Sequence, residues 1–233
     1  MRPRRHKKTT NKSPNKSSLH GLPGFCAFEL PPALELTQPE KLKLRAGYQF
    51  QSYKVSNSSG VKLPYLVARV SAPHLISVFS SLMRCLLDSH DIHVTVVLET
   101  SHFFPHGHDD IVIEDVDGYR AIELFEKYPD IILGDGCAGF AVFSKCADDS
   151  GHSEIQLNEN REFRVYSGDI RPFIGVFRSF DISEVETFPV LSDEDHRHRV
   201  GDIFRFEDLA DELAEGNDSD SCKYAYDDGD EEC

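Results

Sequence analysis

The sequence predicts an α+β fold in which a mixed or antiparallel sheet carries helices mainly on one face, as a two-layer sandwich. Strand-length segments with alternating or continuous apolar residues occur between longer segments whose apolar residues recur every three or four positions. These segments do not follow a strict β-α-β alternation, which favours helices packed against one side of a sheet. A chain of 233 residues is long enough for one such domain with a sizeable core.

Two strands are predicted early in the chain, at residues 46–55 and 65–70. The first contains three aromatic residues, which are common in strands, and the second reads YLVARV. The segment before them is divided by Pro31, Pro32 and Pro39 into short pieces, which fit only edge strands or extended loops.

The segment after residue 70 predicts a helix and then an interior strand. Ser71 is a suitable N-cap, and Pro73 falls in the first turn, where its missing N–H costs little. The apolar stripe of this helix consists of Leu75, Val78, Phe79, Leu82, Met83, Leu86 and Leu87. Residues 92–98, IHVTVVL, are apolar enough for an interior strand. The result is a β-α-β-like unit, right-handed if its strands are parallel.

Residues 100–116 are predicted to be a polar loop that leads into a helix at 118–127, with Asp117 as its cap. Pro129 ends or bends this helix. Its inward-facing residues are predicted to be Tyr119, Ile122, Phe125 and Ile132.

The remaining elements are three strands and two helices. A strand is predicted at 139–145, and strands at 154–158 and 161–166 form a hairpin through the turn NEN. Asp169 caps the next helix, and a last, acidic helix covers about 205–215. The apolar stripes of these helices are Ile170, Phe173, Ile174, Phe177 and Phe180 in one, and Phe206, Leu209, Ala210 and Leu213 in the other.

Both termini differ in composition from the body of the chain. Residues 1–21 carry seven bases and no acid and have almost no apolar side chain, which predicts a disordered basic arm. Residues 216–233 are acidic and low in large aliphatic residues, which predicts a disordered tail. A single α+β domain at 22–215 lies between them.

The charge distribution limits the kinds of partner that the domain can bind. The formal net charge is −15, and the body between the basic arm and residue 207 carries −11. Such a body repels phosphates and anionic lipids, so nucleic acid could be bound only through residues 2–16. A basic protein or a cation is the better partner, and no membrane association is expected.

The same sequence predicts a cytoplasmic protein. No run of about 18 apolar residues occurs, and no apolar segment follows the basic N-terminus as a secretory signal requires. The six cysteines have neither the spacing of a disulfide framework nor that of a paired zinc motif, so reduced thiols are expected.

Histidines in the loop after residue 100 form the first candidate site. His106, His108 and Asp110 match part of the His-x-His-x-Asp-His signature and so resemble the metallo-β-lactamase fold, although Ile111 replaces the final histidine. The resemblance implies zinc or another divalent metal and a hydrolase, with His102 or a second histidine pair completing the ligands. The alternative is a solvated polar loop without a cofactor.

Two further candidates are His196 with His198, and Cys137. The histidine pair could complete a composite metal site or belong to a charged connector. Cys137 lies in the glycine-rich turn LGDGCAG, where it could be a catalytic nucleophile or simply a buried thiol under a turn.

The segments VVLET, DGCAGFAVF and DIRPFIGVFRSF, together with the helix and hairpin among them, resemble an uncharacterised family of bacterial cytosolic proteins over about residues 64–180. The resemblance implies an α+β domain and no catalytic residue. The leading hypothesis is therefore a non-enzymatic, acidic domain that binds another protein, in the manner of regulatory or toxin-neutralising proteins.

Overall fold

A computed structural model describes residues 28–54, 62–89, 92–102, 109–145, 152–187, 191, 195–215 and 222–225. The predicted arm, His106 and His108 lie outside these ranges. Within them, ten strands and five helices form the two layers that the sequence predicts.

Eight strands form one antiparallel sheet in the order β10-β5-β4-β6-β7-β8-β3-β2, and two short strands, β1 and β9, pair separately. The strands are β1 (Leu34–Leu36), β2 (Gly47–Lys54), β3 (Lys62–Arg69), β4 (His93–Thr100), β5 (Asp109–Asp117), β6 (Ala138–Lys145), β7 (His152–Leu157), β8 (Glu162–Tyr166), β9 (His196–His198) and β10 (Cys222–Ala225). The predicted antiparallel sheet is confirmed for the described part of the chain.

The helices are α1 (Ala72–Ser89), α2 (Gly118–Lys127), α3 (Pro129–Gly134), α4 (Arg171–Ser179) and α5 (Ile203–Ala214). All five contribute buried side chains to the same core as the sheet, so they cover one of its faces. The opposite face carries polar and aromatic side chains, among them Gln156, Arg164 and the stacked rings of Tyr65 and Tyr166.

Aromatic rings lie at the centre of the core, between α1 and the middle strands. The Phe79 ring is 5.1 Å from that of Phe125 and 5.8 Å from that of Phe163. Phe125 in turn meets Phe140 edge-on, and Phe163 meets Phe177. The apolar stripe predicted for α1 is buried in full.

One strand contradicts the prediction of a polar loop before α2. β5 occupies Asp109–Asp117, where its residues Ile111, Ile113 and Val116 point into the core. Two features hide this pattern: Asp115 has a positive φ of 61°, and the pairing with β4 shifts between Val94 and Val96. This irregularity breaks the alternation of apolar and polar residues by which a strand is recognised.

The two strands of the predicted β-α-β-like unit, β3 and β4, are not neighbours in the sheet and do not form a parallel pair. β3 and β4 are separated in the sheet by β8, β7 and β6, and every neighbouring pair is antiparallel. Helix α1 therefore crosses over three strands. Sequence periodicity specifies that a helix connects two strands, but it does not specify how many strands lie between them.

Smaller differences concern single side chains. Tyr119, predicted to face inward, is half exposed, and Ala121 and Leu124 of α2 are buried instead. The Ser71 hydroxyl accepts a hydrogen bond from the Glu29 backbone N–H at 2.8 Å, so it joins an incoming segment to the start of α1.

The structure bears in part on two further predictions, the disordered acidic tail and the absence of a membrane-spanning segment. Within the predicted acidic tail, β10 pairs antiparallel with β5, and the other tail residues lie outside the described ranges. Among the described helices, none combines the length and apolar composition needed to cross a bilayer.

A candidate metal centre at one end of the sheet

The pairing of β4 with β6 brings together two segments that are far apart in the sequence. These strands are antiparallel, with Thr100 opposite Ala138, so the end of β4 meets the beginning of β6. The Ser101 N–H continues the pairing by donating to the Cys137 carbonyl at 2.9 Å. His102 therefore lies next to the turn that precedes β6.

Asp135 is the central residue of this region. It follows α3, and its side chain is 0% exposed, while that of His102 is 4% exposed. Asp135 Oδ2 is 2.6 Å from His102 Nε2, and Oδ1 accepts hydrogen bonds from the N–H groups of Cys137 at 3.0 Å and Gly201 at 3.1 Å. One carboxylate thus joins the end of β4, the α3–β6 turn and the segment before α5.

Two glycines allow close contacts in this region, one of them with the carboxylate itself. A Cβ atom at Gly201 would lie 2.5 Å from Asp135 Cγ, and a Cβ atom at Gly136 would lie 2.5 Å from the Ala33 carbonyl oxygen. Any side chain at these positions would force a neighbour to move. Gly201 therefore leaves space for the buried carboxylate, whereas Gly136, in the glycine-rich turn, lets that turn lie against the Ala33 backbone.

The small sheet formed by β1 and β9 holds the outer side of the turn. Gly136 N–H donates to the Arg199 carbonyl at 2.7 Å, and Arg199 N–H donates to the Ala33 carbonyl at 2.7 Å. Ala33 N–H donates in turn to Leu133 in α3 at 2.8 Å. These bonds fix the backbone on both sides of Asp135.

Cys137 completes a group of three potential metal ligands. One ligand atom each from His102, Asp135 and Cys137 lie within 4.8 Å of one another, and Cys137 is half-buried. Burial raises the pKa of the Cys137 thiol, and the nearby Ser101 hydroxyl and Arg161 oppose that shift. The thiol is therefore neutral near pH 7, and a bound cation would favour its ionised form.

The three side chains meet the dimensional requirements of a divalent metal. Around a tetrahedral zinc ion, bonded ligand atoms lie about 3.3–3.6 Å apart. The His102–Asp135 contact would open by less than about 1 Å, and the thiol would close by a little over 1 Å at most. The second carboxylate oxygen of Asp135 is already held by two N–H groups, as is usual for carboxylates that bind metals.

His196 and His198 lie beside the same turn but are not in that group of three. Their Nε2 atoms are 3.0 Å apart, and His198 Nδ1–H donates to the Gly136 carbonyl at 2.6 Å. His196 is buried and His198 half-buried. Both residues lie in the three-residue strand β9, in the segment that leads to α5.

The predicted ligand Asp110, which lies inside the described ranges, is not brought to the centre. Asp110 lies in β5, opposite Glu99 and Ala225, and is not part of the three-residue group. The resemblance to the metallo-β-lactamase signature thus has only one residue inside the described ranges, and that residue is a strand residue.

Sequence reasoning named His102 and Cys137 but missed Asp135. The signal was an aspartate between Gly134 and Gly136, two positions before the cysteine. Asp135 could be recognised as a ligand only if β4 and β6 were known to be neighbours, because that pairing places His102 at the same turn.

Comparisons of the chain with models of protein families, with curated proteins and with solved structures give no match. The resemblance of residues 64–180 to a bacterial family therefore stays a prediction. The assignment of a function rests on the geometry around Asp135.

Proposed function

We propose that this protein binds a divalent transition metal, zinc by the chemistry of its ligands, through His102, Asp135 and Cys137. The observation that carries this proposal is that a nitrogen, an oxygen and a sulfur ligand come from three side chains within 4.8 Å of one another. Zinc accepts all three donor types, whereas magnesium and calcium prefer oxygen alone.

Metal binding is also compatible with the burial of these groups. Asp135 and His102 are almost completely buried and pair with each other at 2.6 Å, and a metal ion would take the place of that contact. Zinc would replace the proton shared by His102 and Asp135 and would displace the proton of the Cys137 thiol. Its affinity should consequently rise with pH through the neutral range.

Three protein ligands leave one position for water, which is the arrangement of catalytic rather than structural zinc sites. A zinc ion held by these residues would lower the pKa of a water at that position and would so supply a nucleophile near neutral pH. The proposed function is therefore a metal-dependent hydrolase, at a different set of residues from the loop that the sequence suggested.

Metal content is the first test. Protein purified without a histidine tag should hold or take up about one equivalent of zinc, and cobalt in its place should give a thiolate-to-metal charge-transfer band. Cys137→Ser should abolish that band and weaken zinc binding by at least about tenfold, because the hydroxyl is a much poorer ligand. Less than about a tenth of an equivalent in the wild-type protein would contradict the proposal.

Matched variants separate the site from nonspecific binding by cysteine and histidine. Cys85→Ser changes a half-buried thiol in α1, and His152→Gln changes an exposed histidine at the start of β7. Both should leave the zinc affinity unchanged, whereas His102→Gln should lower it as Cys137→Ser does. Zinc-dependent hydrolysis of a panel of chromogenic esters, lost in Cys137→Ser, would establish catalysis.

Binding of a basic protein remains a second candidate function, favoured by the surface at the start of α5. Phe204 and Val200 are 72% and 67% exposed, and Glu207 and Asp211 are exposed on the same helix as Phe204. An exposed apolar group beside acids suits a basic segment that carries an apolar anchor. Phe204→Ala should weaken such binding. If binding of a basic protein is unchanged both by this substitution and by high salt, the surface at the start of α5 is not the binding site.

A further inference from the structure

Arg161 is a buried arginine next to the candidate metal centre. It lies in the turn between β7 and β8, with a positive φ of 57°, and is 1% exposed. Among the described residues it forms no salt bridge with a carboxylate, and its Nε atom has no hydrogen-bond partner. A guanidinium in such a position is costly to bury, so its contacts call for an explanation.

Those contacts lie at the two ends of the turn that carries Asp135 and Cys137. Arg161 Nη1 donates to the Ala138 carbonyl at 2.7 Å, and Nη2 donates to the Ile131 carbonyl at 3.4 Å. Ile131 lies in α3 before the turn, and Ala138 begins β6 after it. One planar guanidinium thus fixes the distance between the segments from which the two ligands project.

The charge of Arg161 is placed to act on the same residues. Asp135, Glu159 and Cys137 are the acidic groups that favour its charged form, while burial lowers its pKa to about 10. Arg161 is therefore still cationic at neutral pH. Conversely, its positive charge favours the ionised form of Cys137.

The Ser101–Glu159 pair places a further part of the β7–β8 turn against the centre. Ser101 Oγ donates to Glu159 Oε1 at 2.7 Å, and Ser101 is the residue next to His102. The β7–β8 turn therefore contacts both segments of the centre, one through Glu159 and the other through Arg161. Arg161 also donates to Asn158 within its own turn at 3.1 Å.

We infer that Arg161 is a positioning residue of the metal centre, which holds the Asp135–Cys137 turn at the spacing the ligands need. The inference rests on the proposed metal function. Its donors reach the carbonyls at both ends of the turn, so the spacing between the ligands is set before a metal binds.

The test compares zinc dissociation constants, measured by chelator competition, for the wild-type protein, Arg161→Met, Arg161→Lys and the control Arg164→Met. Arg161→Met should weaken binding by at least about tenfold, as loss of a residue that orients ligands does. Arg161→Lys keeps the charge but cannot donate to both carbonyls in a fork, so its affinity should fall between the two. Arg164 is exposed on β8, so its replacement changes the net charge equally but should leave the affinity unchanged.

A purely structural role would lower the melting temperature of the metal-free protein without changing the affinity of the folded protein. A folded Arg161→Met that binds zinc within about twofold of wild type would therefore overturn the inference while leaving the metal proposal intact. If Arg161→Met does not fold, an affinity of Arg161→Lys equal to that of wild type overturns it as well. A wild-type protein that takes up no metal overturns both proposals.

Discussion

Asp135 is the residue on which the candidate centre depends most. Its two oxygens receive three hydrogen bonds, so each of the three segments that meet here has a donor directed at the same carboxylate. Replacing it would leave three buried donors without a partner, each at a cost of about 1–3 kcal/mol. An Asp135 variant would thus confuse loss of metal with loss of the fold, whereas Cys137→Ser changes a ligand and no backbone contact.

Gly201 offers a way to disturb Asp135 without changing any ligand. In Gly201→Ala the new methyl group would lie 2.5 Å from Asp135 Cγ and 2.7 Å from Oδ2. Since the carboxylate is held on both sides, the strain should cost about 1–3 kcal/mol of unfolding free energy. Urea denaturation of the metal-free protein measures this cost, and zinc affinity should fall in parallel because the ligand is displaced.

Gly175 provides the control for this substitution. It lies in the interior of α4 with no atom within 4 Å of the position of a Cβ. Alanine is a better helix former than glycine, so Gly175→Ala should stabilise the protein by about 0.5–1 kcal/mol. If both substitutions have the same effect, the close packing of Gly201 on Asp135 is not a constraint on the site.

At the scale of elements, periodicity predicted helices better than it predicted strands. The stripes of α1 and α5 are long and regular, so burial follows the 3.6-residue repeat. The β7–β8 hairpin was predicted from alternation and a short polar turn. β5 was missed because its bulge and the left-handed Asp115 interrupt the alternation, and its acidic residues resemble a loop.

The candidate centre could be predicted only in fragments for a related reason. Its ligands come from the end of β4 and the start of β6, which are neighbours in space although β5 and two helices separate them in the sequence. His102 and Cys137 carry recognisable chemistry by residue type alone. Asp135 becomes a candidate only when the strand order is known, because a single aspartate in a glycine-rich turn is ordinary.

The junction of α2, α3 and α5 depends on a buried tyrosine. Tyr128 lies between α2 and α3, and its hydroxyl donates to Glu212 Oε1 of α5 at 2.7 Å. Its ring also lies 4.5 Å from the guanidinium carbon of Arg205. Burial raises the pKa of Tyr128 to about 12, and the hydrogen bond to Glu212 contributes to the same shift.

Replacing this tyrosine should therefore have a pH-dependent effect. Tyr128→Phe removes the hydrogen bond and should lower the free energy of unfolding by about 1 kcal/mol at neutral pH. Folding raises the pKa of Tyr128 from its ordinary value of 10.0, so the stabilisation is complete below about pH 10 and is lost as the pH rises towards 12. Urea denaturation at about pH 8 and about pH 11 should show the difference from wild type becoming smaller.

The half-exposed Tyr119 of α2 supplies the comparison, because Tyr119→Phe removes a tyrosine hydroxyl near the same junction without breaking the contact between Tyr128 and α5. Its effect on stability should be within about 0.5 kcal/mol at either pH. The difference in unfolding free energy between Tyr128→Phe and wild type could also be the same at the two pH values. That result would show that the Glu212 contact does not stabilise the protonated form of the Tyr128 hydroxyl.

At the scale of the whole molecule, opposite charges are separated along the chain. The first 21 residues carry seven bases, and the rest of the chain carries a large excess of acids. Deleting residues 1–21 takes the formal net charge from −15 to −22. The deletion consequently has opposite effects on two of the predicted classes of partner, since it strengthens attraction to a basic protein and removes the only segment suited to nucleic acid.

Because the expected effects are opposite, deleting residues 1–21 distinguishes binding of a basic protein from binding of nucleic acid. If the acidic surface binds a basic protein, the deletion variant should bind a labelled lysine-rich peptide more tightly than the full chain. Raising salt from about 50 to 200 mM should weaken both complexes, because exposed charges are screened. Fluorescence anisotropy with the peptide and with a DNA duplex measures both cases. Loss of DNA binding with no gain for the peptide would instead make the basic arm the binding element, and its affinity should then fall steeply with salt.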